Sequence, residues 1–142
     1  MSSGLPANLQ RIVDLFASAP RELRLQALLD FSRRVPDPPR HLIDSDIFEN
    51  VPECQTPFAL ATEIGEDGVV RIHFDAPAEA PTVRGFAGIL REGLEGATAE
   101  EILQIPLDFY MPMGLVELVT PLRIRGMEAI LARLKNRLRE AA

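Results

Sequence analysis

Cysteine and histidine are scarce in this chain of 142 residues: Cys54 is its single cysteine, and His41 and His73 are its two histidines. One thiol closes no intramolecular disulfide, and these side chains are too few for a cysteine-rich metal site. What remains for Cys54 is single-thiol chemistry, set against the ordinary reading of an unpaired cysteine as a small buried hydrophobe. Taken by itself, the residue favours the ordinary reading.

Positive charge is also in short supply. Fifteen Lys and Arg stand against 21 Asp and Glu, a net charge of -6. Phosphate binding draws on clustered cations, so no nucleic-acid partner is expected. No apolar run approaches the roughly 18 residues of a membrane span, and residues 1–8 have neither the basic start nor the apolar core of a secretory signal. A Gly-rich phosphate loop and a dinucleotide fingerprint are both missing, since Gly85 to Gly88 falls inside a helical pattern. With 46% hydrophobic and 25% charged residues, the chain matches one ordinary globular domain over residues 1–142. A lone cysteine fits a reducing, cytoplasmic setting.

The patterns that are present predict an order of elements. Leu9, Ile12, Val13, Leu15 and Phe16, then Leu25, Leu28, Leu29 and Phe31, form two helical stripes between Leu9 and Val35, with Pro20 starting the second helix. Pro36, Pro38, Pro39, Pro52 and Pro57 make residues 36–57 a long irregular stretch. Its length argues for function, and Leu42, Ile43, Ile47, Phe48 and Val51 argue for docking on a core. Phe58, Leu60, Thr62 and Ile64 alternate with Ala59, Ala61 and Glu63. After Gly65-Glu66-Asp67-Gly68 the alternation resumes with Val70, Ile72 and Phe74, which reads as a hairpin. Two strands alone are marginal, so a third is expected between Phe48 and Val51.

Val83, Phe86, Ala87, Leu90 and Leu94 predict a further helix, in which Gly85 and Gly88 mark close approach to another backbone. Thr98 and Glu101 form a capping box for a short helix ending at Ile105. Another helix is expected from Asp108 to Val119, with Phe109, Tyr110, Met111 and Met113 as core or core-edge packing. Met127, Ile130, Leu131, Leu134 and Leu138 define the last helix, from about Leu122 to Arg139. Its Arg133, Lys135, Arg137 and Arg139 suit the negative end of the helix dipole. Helices, then strands, then helices give an α+β fold, a small antiparallel sheet of about three strands packed against several helices.

Partners for the thiol are harder to find locally. A cysteine hydrolase would pair Cys54 with a histidine such as His73, which sits in no recognisable signature and reads as a solvated strand residue. Carboxylate pairs drawn from Glu53, Glu63 or Asp75 arise by chance among so many acids. An arginine beside a cysteine favours the thiolate, but sequence leaves Arg84, Arg123 and Arg125 as solvated charges.

Two segments together carry a resemblance: Cys54-Gln55-Thr56 opening a hairpin strand, and Thr120-Pro121-Leu122-Arg123-Ile124-Arg125-Gly126 leading into the last helix, supported by Val83-Arg84-Gly85. The chain resembles SufE-type sulfur acceptors over nearly its whole length. The resemblance implies an α+β fold shared with IscU-like scaffolds. It also implies a role in accepting sulfane sulfur from a SufS-like cysteine desulfurase as a persulfide on Cys54, for delivery to a SufB-like iron–sulfur scaffold. Gln55 would shape the loop and Arg123 would steady it or the thiolate. No cofactor is implied for this chain, the desulfurase carrying the pyridoxal phosphate. One cysteine suits carrying sulfur better than holding a cluster, which typically needs several thiolates. Where the family often has glycine before the cysteine, this chain has Glu53, whose charge should raise the thiol pKa modestly. The alternative is a docking or regulatory module for a desulfurase or another enzyme, with the thiol incidental.

Overall fold

The computed structural model describes residues 4–141. The chain opens with α1 (Ala7–Ser18) and α2 (Arg21–Arg33), each entered through a proline, Pro6 and Pro20, whose fixed φ suits a helix start. Leu9, Ile12, Val13 and Phe16 of α1 and Leu28 and Phe31 of α2 are buried. Leu15 and Leu25, expected in the same stripes, are exposed instead, because each lies at the margin of its apolar arc.

The proline-rich stretch is more ordered than expected. It holds a short helix, α3 (Arg40–Asp44), the two-residue strand β1 (Glu49–Asn50) and a 3-10 turn at Pro52–Cys54. β1 lies within the segment expected to supply the third strand. β2 (Ala59–Ile64) and β3 (Val70–Asp75) form the hairpin, and the sheet runs β1-β2-β3, antiparallel throughout. Glu49 pairs with Leu60 and Leu60 with Phe74, so the Cys54 turn bridges the β1 edge to the central strand.

α4 (Pro81–Gly93) crosses α2 at very short range. A Cβ on Gly88 would stand 2.4 Å from the carbonyl oxygen of Phe31, and one on Gly85 2.7 Å from that of Leu28. Only hydrogen at these positions lets the two backbones meet. Arg84, read from sequence as a solvated charge, is instead partly buried at this crossing. It donates to the carbonyl oxygens of Ser32 (2.9 Å), Val35 (2.7 Å) and Ala76, joining α2, the loop after it and the end of β3.

α5 (Ala99–Leu103) has the expected capping box between Thr98 and Glu101. The helix expected over Asp108 to Val119 is absent. Two 3-10 turns, Met111–Met113 and Leu115–Glu117, take its place. Pro112 withholds a backbone donor, and Gly114 at φ +74° turns the chain left-handed. Phe109, Tyr110 and Met113 are buried as expected, whereas Met111 is exposed. α6 (Pro121–Ala141) closes the fold, burying Met127, Ile130, Leu131, Leu134 and Leu138 in the common core. Among the described residues no helix is long and apolar enough to cross a membrane.

Candidate functional site

The 3-10 turn at Pro52–Cys54 presents Cys54 inward. Pro52 sets its first φ, the Cys54 amide donates to the Val51 carbonyl (3.1 Å), and the Gln55 amide donates to that of Pro52 (3.0 Å). Gln55 then reverses the chain at φ +57°, a left-handed conformation unusual for a residue with a β-carbon. Its side chain is exposed, so the observed part of Gln55 in the site is its backbone. The Thr56 hydroxyl oxygen is buried without a hydrogen-bond partner among the described residues.

Cys54 is 2% exposed and belongs to the same apolar core as Val51, Phe58 and Met127. Its sulfur lies 3.8 Å from the Gly126 carbonyl oxygen, a long, weak thiol contact. A Cβ on Gly126 would sit 3.5 Å from that sulfur and 3.4 Å from the Cys54 Cα. Glycine in α6 therefore leaves a space about one methyl group wide directly beside the thiol.

One face of α6 supplies the charges. Arg123, Gly126, Arg133 and Arg137 are spaced by three, seven and four residues, which stacks them along one side of a helix. Arg123 Nη1 donates to the Cys54 carbonyl oxygen (3.1 Å). Arg133 grips Glu53 with two bonds, Nε to Oε1 and Nη2 to Oε2, both 3.2 Å, and reaches Glu49 of β1 through Nη1 (3.0 Å). Arg137 approaches Glu49 at 3.5 Å. The helix-dipole reading of Arg133 and Arg137 is thus corrected: both pair with acids of β1 or the cysteine turn. Arg123 likewise is not a free surface charge.

These surroundings fix the thiol's acidity. Burial, and secondarily the Glu53 charge, push Cys54 up to about 11, against the opposing pull of Arg123 and Arg133. Desolvation dominates because an enclosed thiolate loses its hydration, whereas the arginine charges are partly screened. The resting site is a shielded neutral thiol.

The structure does not bring His73 to Cys54. His73 sits on β3, at the opposite edge of the sheet from the β1 side, and its Nε2 lies 2.8 Å from Glu63 Oε1. Cys54 and His73 form no hydrolase dyad. A cleft of about 550 Å³ between residues 36–39, β3 and Arg91, Leu94, Glu95 and Gly96 is also remote: Cys54 is not in its lining. Among the described residues no group of acids, histidines and cysteine could hold a metal ion. Arg133, read from sequence only as a dipole cation, stands seven residues from Gly126, nearly two helical turns, a readable signal that it shares the face that meets Cys54.

A family model described as SufE, Fe-S metabolism associated domain, matches residues 10–138. The chain belongs to the SufE family. A SufE-like protein of Mycobacterium tuberculosis is 50% identical over 139 residues, spanning 98% of this chain and 96% of that protein. A SufE-like protein of Synechocystis is 30% identical over 125 residues, covering 86% of this chain and 74% of its own length. The solution structure of a hypothetical protein from Thermus thermophilus superposes with a TM-score of 0.86 at 47% identity, covering 96% of this chain and 97% of that one. The α+β fold read from the sequence is therefore that of this SufE domain, and membership supports a sulfur-transfer role in iron–sulfur metabolism.

Proposed function

We propose that this SufE domain accepts sulfane sulfur from a cysteine desulfurase as a persulfide on Cys54 and passes it on for iron–sulfur cluster assembly. The observation that carries the reading is the joining of Cys54 to the Thr120–Gly126 segment: Arg123 holds the cysteine carbonyl and Gly126 leaves room beside the sulfur. The chemistry is thiolate attack on the outer sulfur of the donor persulfide. A bond forms between Cys54 Sγ and that sulfur, the donor S–S bond breaks, and the donor cysteine departs as thiolate with the electron pair.

The resting pKa bears on when this happens. With the thiol near 11, about one molecule in ten thousand carries a thiolate at pH 7. Closed, the site is nearly inert; turned outward into water, Cys54 loses the desolvation that dominates its shift. Docking of the donor and activation of the thiol are then one event. Return of the loaded cysteine to the core would protect the persulfide from stray reductants and oxidants. A SufS-like desulfurase as donor, a SufB-like scaffold as acceptor and a cytoplasmic setting complete this reading. Gln55 contributes through its left-handed backbone, which ends the turn.

The test is intact mass after incubation with cysteine and a catalytic amount of desulfurase without reductant. A gain of one sulfur atom that maps to Cys54 and is absent in Cys54→Ser is the expected result. Unmodified protein, with desulfurase turnover still stimulated equally by wild type and Cys54→Ser, would replace this reading with a docking module.

A further inference from the structure

We propose that Glu53 and Arg133 form a clasp that holds the Cys54 turn closed, which makes Arg133 a positioning residue for the thiol. The inference rests on the sulfur-acceptor reading of Cys54. Besides the weak thiol contact to Gly126, three arginine bonds tie the turn to α6: Arg123 to the Cys54 carbonyl, and the two parallel bonds from Arg133 to Glu53. The first holds backbone; the other two hold the side chain of the residue next to the cysteine. Cys54 cannot leave the core without carrying Glu53 away from Arg133.

The clasp is organised in advance. Arg133 is also bonded to Glu49 of β1, which Arg137 approaches from one helical turn further on. A guanidinium already anchored at one nitrogen loses little freedom when its remaining pair meets a carboxylate. Opposing features lie in the next two residues: Gln55 is held left-handed, and the Thr56 hydroxyl is enclosed without a partner. Both are relieved when the turn opens, so closure leans on ties from outside the turn. The pair is partly exposed, Arg133 at 29% and Glu53 at 48% of the side chain, so its strength is moderate and responsive to salt. A tie of that kind is suited to a turn that must open on contact.

The test is the rate at which iodoacetamide alkylates Cys54 in the isolated chain, with Arg139→Ala as the control for loss of one α6 charge. Opposite signs separate the roles. If Arg133 served only as a nearby cation, its removal would raise the thiol pKa and slow alkylation; as a clasp, its removal frees the turn. Arg133→Ala is expected to react about twofold to fivefold faster than wild type at low salt, with Arg133→Lys between the two. Added sodium chloride is expected to speed wild type about twofold and to leave Arg133→Ala unchanged. A rate for Arg133→Ala at or below wild type, with unaltered circular dichroism, overturns the clasp. If Arg133→Ala does not fold, Glu53→Gln breaks the pair from its more exposed side; loss of the salt response supports the clasp and its retention overturns it. No desulfurase is present, so the result stands whether or not Cys54 proves to accept sulfur, which the mass measurement decides separately.

Discussion

Arg123 at the start of α6 donates to the carbonyl oxygen of Cys54 across 3.1 Å, although 69 residues separate them in the chain. That bond fastens the cysteine turn to the helix and places a cation where it favours the thiolate. Arg123→Ala removes both effects. The expected outcome is a loss of about 1–2 kcal/mol in stability, from one charge-assisted bond at a partly buried site, together with a further rise in the thiol pKa. Arg123→Lys should recover more of the pKa than of the stability. Urea denaturation and thiolate absorbance against pH read the two separately.

The buried thiol makes stability fall on the alkaline side. Its pKa is about 11 in the fold against 9.0 as the ordinary value. Below pH 9 both states hold the proton and nothing is lost; between 9 and 11 the unfolded state ionises first, binds fewer protons, and draws the equilibrium toward unfolding. The loss approaches about 2–3 kcal/mol by pH 11. Tyr110, pushed up to about 12 chiefly by burial and then by its bond to Glu128, adds a similar trend to every variant. Urea midpoints of wild type and Cys54→Ala measured from pH 8 to 11 should therefore show wild type losing stability relative to the variant, and parallel curves would contradict the raised thiol.

Gly126→Ala separates stability from function. The new methyl would meet the Cys54 sulfur at 3.5 Å, an ordinary contact, and alanine for glycine inside a helix contributes about 0.5–1 kcal/mol. The melting temperature should rise by a few degrees. The space beside the sulfur is then filled, so an added sulfur atom no longer fits inward. A persulfide on this variant should be stripped by dithiothreitol several-fold faster than on wild type.

Arg84→Ala should be among the most damaging substitutions away from the cysteine. It strands the carbonyl oxygens of Ser32, Val35 and Ala76 at a partly buried junction, with an expected loss of about 2–4 kcal/mol. Arg84→Lys offers one compact charge for three divergent acceptors and should recover only part of it. Thermal unfolding reads the difference, and a loss below about 0.5 kcal/mol would show that water replaces the guanidinium freely.

The alternation of Leu60 and Thr62 with Ala61, matched by Ile72 against Arg71 and His73, is a local signal of the hairpin, as is the pairing of Thr98 with Glu101 for α5. Each depends on neighbours within a few residues, where side-chain direction follows directly from strand or helix periodicity. The segment from Asp108 to Val119 misled for the same local reason run backwards. Its apolar spacing resembles a helix, but Pro112 and the left-handed Gly114 outweigh that spacing once the chain must turn toward α6.

The α+β order of elements was determined by the sequence, because periodicity is a property of neighbouring residues; Cys54 as the reactive candidate came from the SufE resemblance carried by the Cys54-Gln55-Thr56 and Thr120–Gly126 motifs, not from the residue taken alone. The tertiary structure alone decided that Cys54 rests buried, that Arg84 knots three carbonyls, and that Arg133 faces Glu53 rather than a helix terminus. The burial of Cys54 and the Arg133–Glu53 pair depend on how α6 is rotated against a turn some 70 to 80 residues earlier, an angle set by core packing around Met127 and Ile130; the Arg84 contacts depend on how closely α4 crosses α2. Spacing along one element predicts which side chains share a face; only the assembled core determines what that face meets.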